Sequence, residues 1–272
     1  MSTRPMTTRP MNTVPHPVRD AATMLRRTLR HLARYPSMVI MTLAMPVVLL
    51  LLFVGIFGGA LNTGLGGGTP GRGYVDYVVP GILLMTVGYG ATMTALAVNR
   101  DSTEGIIARF RTMAISRASV LTGHVASALA RTMASCALVV AVALALGLRP
   151  AADPLDWLAM VGVLALLALA LNWLAVAVGL SARNAEGVGG FTVVVQVLPF
   201  VSSAFVTPDS MSGAVRWFAN NEPFTPVIDT LRGLLLGTPV GSSAGLAFAW
   251  CAGAAVAGYL WARAVFRRDP RQ

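Results

Sequence analysis

The chain has 272 residues, of which 55% are hydrophobic and only 12% charged, with a formal net charge of +10. That charge fraction is about half the usual share, too little to cover the surface of a soluble globule of this size. All 21 basic residues are Arg, and without Lys the chain holds neither a P-loop nor a Schiff-base or Ser-Lys catalytic centre.

Residues 1–17 are rich in Pro, Thr and Arg and read as a disordered tail. In residues 18–34, Val18, Ala21, Ala22, Leu25, Leu29 and Leu32 recur at helical intervals. Arg19, Arg26, Arg27 and Arg30 occupy the rest of the wheel. This predicts a basic amphipathic helix on the membrane surface, closed by Pro36. Six apolar runs follow: Met38–Gly58, Val75–Val98, Val120–Gly147, Trp157–Leu180, Val188–Val206 and Ala244–Trp261. Each approaches or exceeds the ~20 residues that cross a bilayer, predicting six spans at about 37–58, 75–98, 119–147, 157–181, 187–206 and 243–262. The first run starts late and lacks a small-residue cleavage site, so it reads as a retained anchor. Residues 18–262 form one transmembrane domain, and 263–272 a short tail.

The arginines alternate by loop. The tail to residue 36 holds seven, the loop after the second span Arg100, Arg109, Arg111 and Arg117, the next loop on that side Arg183, and the C-terminal tail four. The opposite side holds only Arg72, Arg149, Arg216 and Arg232. This places both termini in the cytoplasm, which demands an even number of spans. Segregation by side also explains the positive charge without a nucleic-acid partner.

Residues 58–73 contain eight glycines and predict a flexible external loop. Within the longest cytoplasmic connection, Glu104–Met113 predicts a short helix with acid at its start and Arg109 and Arg111 at its end. Residues 207–242 hold two half-length apolar pieces, Met211–Ala219 and Phe224–Leu236. The second carries Asp229 and Arg232 and is too short to cross, so a re-entrant or surface hairpin is predicted.

Polar residues inside the spans are the candidate functional groups. Gly189, Thr192, Gln196, Pro199 and Ser203 form a small or polar stripe on the fifth span; Gly81, Met85, Gly88, Thr92, Ala95 and Asn99 form another on the second. Such stripes pack helices together, and two of them can face a shared pathway. Thr92, Asn99, Thr192, Gln196 and Ser203 are the pathway-lining candidates. Arg131, in the third span, would cost ~2.5–3.5 kcal/mol at the bilayer centre, so it is expected to reach toward the cytoplasm or pair with an acid such as Glu104.

Catalytic patterns are scarce. Asp101 to Arg109 resembles the opening of the metal-binding signature of the CDP-alcohol phosphatidyltransferases, which are also six-span proteins. Their second acid pair would fall at Thr122 and Ala126, however, and Ala118 stands where that signature has Gly. Without those carboxylates a two-metal site cannot form. His16, His31 and His124 have no carboxylate at ligand spacing, and Cys136 and Cys251 read as small buried hydrophobes.

Three blocks carry a stronger resemblance: Tyr77-Val78-Val79-Pro80-Gly81; Glu104-Gly105…Arg109-Phe110-Arg111…Ile115-Ser116-Arg117; and Pro223-Phe224-Thr225…Asp229-Thr230-Leu231-Arg232-Gly233-Leu234-Leu235…Gly237. In their order and spacing the chain resembles the membrane subunit of type 2 ATP-binding-cassette exporters, in particular the daunorubicin-resistance-like permeases of actinobacteria. It departs from them at Ala114, where Pro is common, and at Glu222, where Asn is common. The resemblance implies an all-α permease that is not itself an enzyme and binds no cofactor. ATP and Mg²⁺ would be held by a separate cytoplasmic ATPase, coupled through Glu104, Gly105, Arg109, Arg111 and Arg117. It further implies a second permease copy, identical or paralogous, with the second and fifth spans at the centre. The substrates would be amphipathic drugs, natural products or lipid-linked molecules, moved across the plasma membrane of a bacterium.

Overall fold

A computed structural model describes residues 36–57, 73–104, 117–206 and 210–267. All regular structure among them is helical. The elements are α1 (Pro36–Leu52, running on as a π-helical turn Phe53–Phe57), α2 (Tyr74–Thr103), α3 (Arg117–Ala145), α4 (Pro154–Ser181), α5 (Gly189–Val197), α6 (Gly213–Asn221), α7 (Phe224–Leu236) and α8 (Ser243–Arg267). The amphipathic segment 18–34, the glycine-rich segment 58–72 and most of the predicted coupling helix lie outside the described residues.

Four helices are long and apolar enough to cross a membrane: α2, α4 and α8 in full, and Leu121–Ala145 of α3. The first and fifth predicted spans differ. α1 is shorter, carries Pro46 in its interior and ends in the π turn. The fifth is divided into a 3₁₀ turn (Ala185–Val188), the nine residues of α5 and a second 3₁₀ turn (Leu198–Val201). At ~1.5 and ~2.0 Å of rise per residue these seventeen residues still cover roughly 30 Å. The break has a local cause. Pro199 lacks the N–H of a continuing helix, Ser202 takes an extended conformation, and its hydroxyl donates back to the Pro199 carbonyl at 2.7 Å. The predicted run to Val206 therefore ends at Val201, and Ser202–Phe205 fold back into the protein, buried.

α2 is the hub, packed against α1, α3, α4, α5 and α7. It is buried on most sides along its length, as a helix surrounded by other helices must be. In a membrane, helices associate by close packing, for which small residues are needed. A Cβ on Gly81 would lie 2.8 Å from Ala204 Cβ, one on Gly88 2.7 Å from Val195 Cγ1, and one on Gly90 2.5 Å from Thr132 Oγ1. From the facing helix, a Cβ on Gly179 of α4 would meet Ala95 O at 2.5 Å. A Cβ on Gly258 of α8 would lie 2.7 Å from Leu174 N and 2.9 Å from Trp173 C, where Trp173 and Tyr259 make an edge-to-face contact at 5.0 Å.

The helix ends group into two layers. At the Arg-rich end, Val98, Leu121, Val125, Trp173, Val176, Ala177, Ala262 and Phe266 form a small core of their own. At the Arg-poor end, the α3–α4 connection turns at Gly147 (φ +102°). Its Arg149 N–H then donates to Asp76 Oδ1 at 3.3 Å, and Ala151 N–H to Leu235 O at 3.1 Å. α4 then begins on a capping box: Asp153 accepts from the N–H groups of Leu155 and Asp156, and Asp156 accepts from Asp153 N–H. With Pro154 at the first helical position, this stabilises the start by about 1 kcal/mol.

The segment for which a hairpin is predicted holds two short helices. α7 matches the expected Phe224–Leu236 and is buried against α2, α4 and α8. It stops at Gly237, whose left-handed φ of +61° suits glycine and lets Thr238 N–H cap the Gly233 carbonyl at 2.9 Å. α6 is largely exposed, including Trp217 and Phe218; only Ala219 is buried.

Candidate functional site

Two of the three sequence blocks meet at the Arg-poor end. Tyr77 comes from the first turn of α2, Ser203 from the fold-back after Pro199, and Asp229 and Arg232 from α7. Arg232 Nη1 donates to Asp229 Oδ1 at 3.1 Å. Its Nη2 donates to Ser203 O at 2.7 Å and lies 3.5 Å from Tyr77 O. The guanidinium sits 4.0 Å from the centroid of the Tyr77 ring. The Tyr77 hydroxyl donates to the same Ser203 carbonyl at 3.1 Å, and Ser203 Oγ donates to Asp229 Oδ1 at 2.9 Å. The charges at i and i+3 of α7 thus tie the fold-back after α5 to the start of α2.

Glu222 sets the beginning of α7. Its carboxylate accepts from Phe224 N–H at 2.7 Å and from Thr225 N–H, while Thr225 Oγ1 accepts from Ser203 N–H at 3.2 Å. Glu222 is 4% exposed, and burial pushes its carboxyl above the usual range. Asp229 adds to that rise; the hydrogen bonds from Phe224 and Thr225 oppose it.

The pathway candidates occupy separate places. Gln196 is partly buried and lines a cavity of about 20 Å³ with Met45, Pro46 and Leu49 of α1 and Met85 and Tyr89 of α2. Thr192, one turn earlier, donates to Val188 O at 3.3 Å. Between them Val195 packs on Gly88, while Val193, Val194, Val197 and Phe200 are exposed. Thr92 is buried, with no partner for its hydroxyl among the described residues. Asn99 is buried on the same face of α2 two turns nearer the Arg-rich end, where that face meets α4, its amide donating to Gly179 O at 3.2 Å and Ala182 O at 2.7 Å. Ser203 belongs to the cluster with Tyr77. The structure sets Gln196 against α1 and α2; it does not bring all five residues to one surface.

At the Arg-rich end, Glu104 accepts from Arg100 Nε at 2.8 Å and closes α2. It therefore does not pair with Arg131, whose Nη2 reaches Thr94 Oγ1 at 3.4 Å instead. Gly105, Arg109 and Arg111 lie outside the described residues, and Arg117 is the first residue of α3. An open cleft of about 470 Å³ separates the end of α4 from the start of α5, lined by Val178, Ser181, Ala182, Phe191, Val194 and Trp261 among others.

Tyr77, Glu222, Asp229 and Arg232 were not picked out as site residues from the sequence. Their signal was present in part, as an opposite-charge pair three residues apart on an otherwise apolar 13-residue helix. Such a pair inside an apolar element needs partners, but nothing local names Tyr77 as one of them.

Four membrane-length helices among the described residues, with shorter apolar helices packed beside them, define a polytopic all-helical membrane protein. The ABC-2 type transporter family model matches residues 20–236, and the chain belongs to that family. It is 28% identical over 225 residues to the daunorubicin resistance ABC transporter permease protein DrrB1 of Streptomyces coeruleorubidus, covering 80% of this chain and 77% of that protein. It is 26% identical over 179 residues to a probable doxorubicin resistance ABC transporter permease protein, DrrC, of Mycobacterium tuberculosis, covering 66% of this chain and 65% of that one.

Proposed function

We propose that this chain is the membrane-spanning subunit of an ATP-driven exporter of amphipathic drugs, natural products or lipid-linked molecules in a bacterial plasma membrane. The observation that carries this reading is the similarity to a daunorubicin resistance permease, which runs through most of both chains. The chain has no Lys for a nucleotide-binding loop, so ATP and Mg²⁺ belong on a separate ABC ATPase. Two permease copies and two ATPases form the working unit. The chain crosses the membrane six times with both termini in the cytoplasm, and the α6–α7 hairpin enters the outer leaflet. Residues 104–117, including Glu104, Gly105, Arg109, Arg111 and Arg117, seat in the ATPase.

Substrate passes along the α2–α5 seam, where Thr192 and Gln196 of α5 are the partly exposed polar groups. Beyond the seam, Asn99 fastens α2 to the end of α4 and Ser203 fastens the fold-back after α5 to α7. The test is reconstitution of the chain with an ABC ATPase in proteoliposomes. ATP-dependent movement of an anthracycline or related amphiphile is expected, and an ATPase whose activity responds to no amphiphile in a broad panel would overturn the reading.

A further inference from the structure

The seam between α2 and α3 holds polar groups that the transport reading does not use. Its outer pair is Asp101 and His124, 3.5 Å apart, with side chains 30% and 29% exposed. Seven residues further along each helix, two turns into the bundle, lies the pair Thr94 and Arg131. Ser127 sits between His124 and Arg131 on the same face of α3, partly buried. The seam is therefore polar from the Arg-rich end down to Arg131.

Arg131 lies ten residues past Leu121 in the apolar stretch Leu121–Ala145, about 15 Å along the helix. A guanidinium stays charged at that depth, and an unpaired one is costly there. Its donors greatly outnumber its acceptors. Nη2 has the Thr94 hydroxyl at 3.4 Å, which itself donates to Gly90 O at 2.9 Å. Nε is buried without a partner, and no carboxylate among the described residues pairs with Arg131. Helical side chains lean toward the helix N-terminus, which for α3 is the Arg-rich end, so the guanidinium is directed at the leaflet on that side. Such a set of donors matches an anion with two or more acceptor oxygens, the group that an Arg fork binds best.

We propose that Arg131, oriented by Thr94, binds the phosphate headgroup of an anionic phospholipid that enters the α2–α3 seam from the leaflet at the Arg-rich end. The bound headgroup supplies those acceptor oxygens, while the acyl chains remain among the apolar side chains of the span.

The test uses the full chain, purified in neutral detergent and stripped of lipid, then titrated with phosphatidylglycerol or phosphatidylcholine and read by native mass spectrometry. The wild type should prefer phosphatidylglycerol by at least about tenfold. Arg131→Gln should abolish that preference, Arg131→Lys should keep part of it, and Thr94→Val should weaken it. Arg183→Gln, at an exposed position of the same end, should leave it unchanged. Millimolar inorganic phosphate should not displace the lipid. An unchanged preference in Arg131→Gln overturns the proposal, as does an equal loss in Arg183→Gln, which would make the preference one of general surface charge. Displacement by inorganic phosphate would assign the site to the free anion and overturn the lipid. If Arg131→Gln does not remain monodisperse, Thr94→Val and Arg131→Lys decide, and a full wild-type preference in both overturns the proposal.

Discussion

The Arg232 guanidinium lies 4.0 Å from the centroid of the Tyr77 ring, and both residues donate to the carbonyl of Ser203. One acceptor thus joins α2, the fold-back after α5, and α7. A cation over an aromatic face contributes about 0.5–2 kcal/mol, more when desolvated, and each charge-assisted hydrogen bond about 1.5–3 kcal/mol. Tyr77→Phe, which keeps the ring and loses one hydroxyl bond, should cost about 1 kcal/mol. Arg232→Gln should cost more, about 1–3 kcal/mol, a range held down by the 40% exposure of the Asp229 side chain left behind. Thermal unfolding of the purified chain in detergent should rank wild type above Tyr77→Phe above Arg232→Gln; an Arg232→Gln variant as stable as wild type would remove the cluster's structural role.

Glu222 gives the hairpin a pH dependence of defined sign. Burial raises its carboxyl above the unfolded value, so the folded state binds the proton more tightly. Its contribution to stability is then full below the ordinary glutamate range and is lost as pH rises through the raised value. Acidifying from neutral should slow proteolysis of the α6–α7 region, and Glu222→Gln, which keeps an acceptor without the charge, should flatten that profile. Glu222→Ala removes the cap and should cost about 1 kcal/mol below the ordinary glutamate range, a cost that shrinks as pH rises through the raised value.

Gly179 and Gly253 make a matched pair of glycines in apolar helices. A methyl at Gly179 would meet Ala95 O at 2.5 Å, a backbone atom of the hub helix that cannot turn aside. Gly179→Ala should therefore separate α2 from α4 and destabilise by about 1–3 kcal/mol, as overpacking does. At Gly253 nothing lies within 4 Å of the added carbon, so Gly253→Ala should be neutral or gain up to about 1 kcal/mol from helix propensity. Melting temperatures of the two variants, compared in one detergent, decide the matter.

Cysteine labelling tests the seam. With Cys136 and Cys251 first replaced, Gln196→Cys and Thr192→Cys should react with a water-soluble thiol reagent and be protected by substrate. Val195→Cys should resist, because that position packs on Gly88. Val194→Cys, exposed on the apolar face with Val193 and Val197, should react only with a lipid-soluble reagent. Equal labelling at all four positions would reduce the stripe to helix packing.

Coupling is the remaining expectation. Arg111→Glu should uncouple ATP hydrolysis from export in proteoliposomes containing the ATPase while leaving membrane insertion intact. Glu104→Ala should act in the same direction, with loss of the Arg100 contact at the end of α2. Transport at wild-type rates in both variants would place the ATPase contact elsewhere.

The membrane class, the positions of the apolar elements and the charge asymmetry were legible in the sequence because each follows from local composition. A run of apolar residues needs no partner to announce its length, and α7 spans the same thirteen residues that its hydrophobicity marks out. The interruption of the predicted fifth span has a local cause in Pro199, but the direction in which Ser202–Phe205 turn has none. That direction depends on Gly81, whose missing Cβ makes room for Ala204 more than a hundred residues away. Likewise Tyr77 and Arg232 are 155 residues apart, and Asn99 and Gly179 are 80 apart. Local periodicity says which face of a helix is polar or small; it does not say which other helix will lie against that face. The pairing is decided when several helices are packed together, because only then does burying one polar group require a particular partner for it.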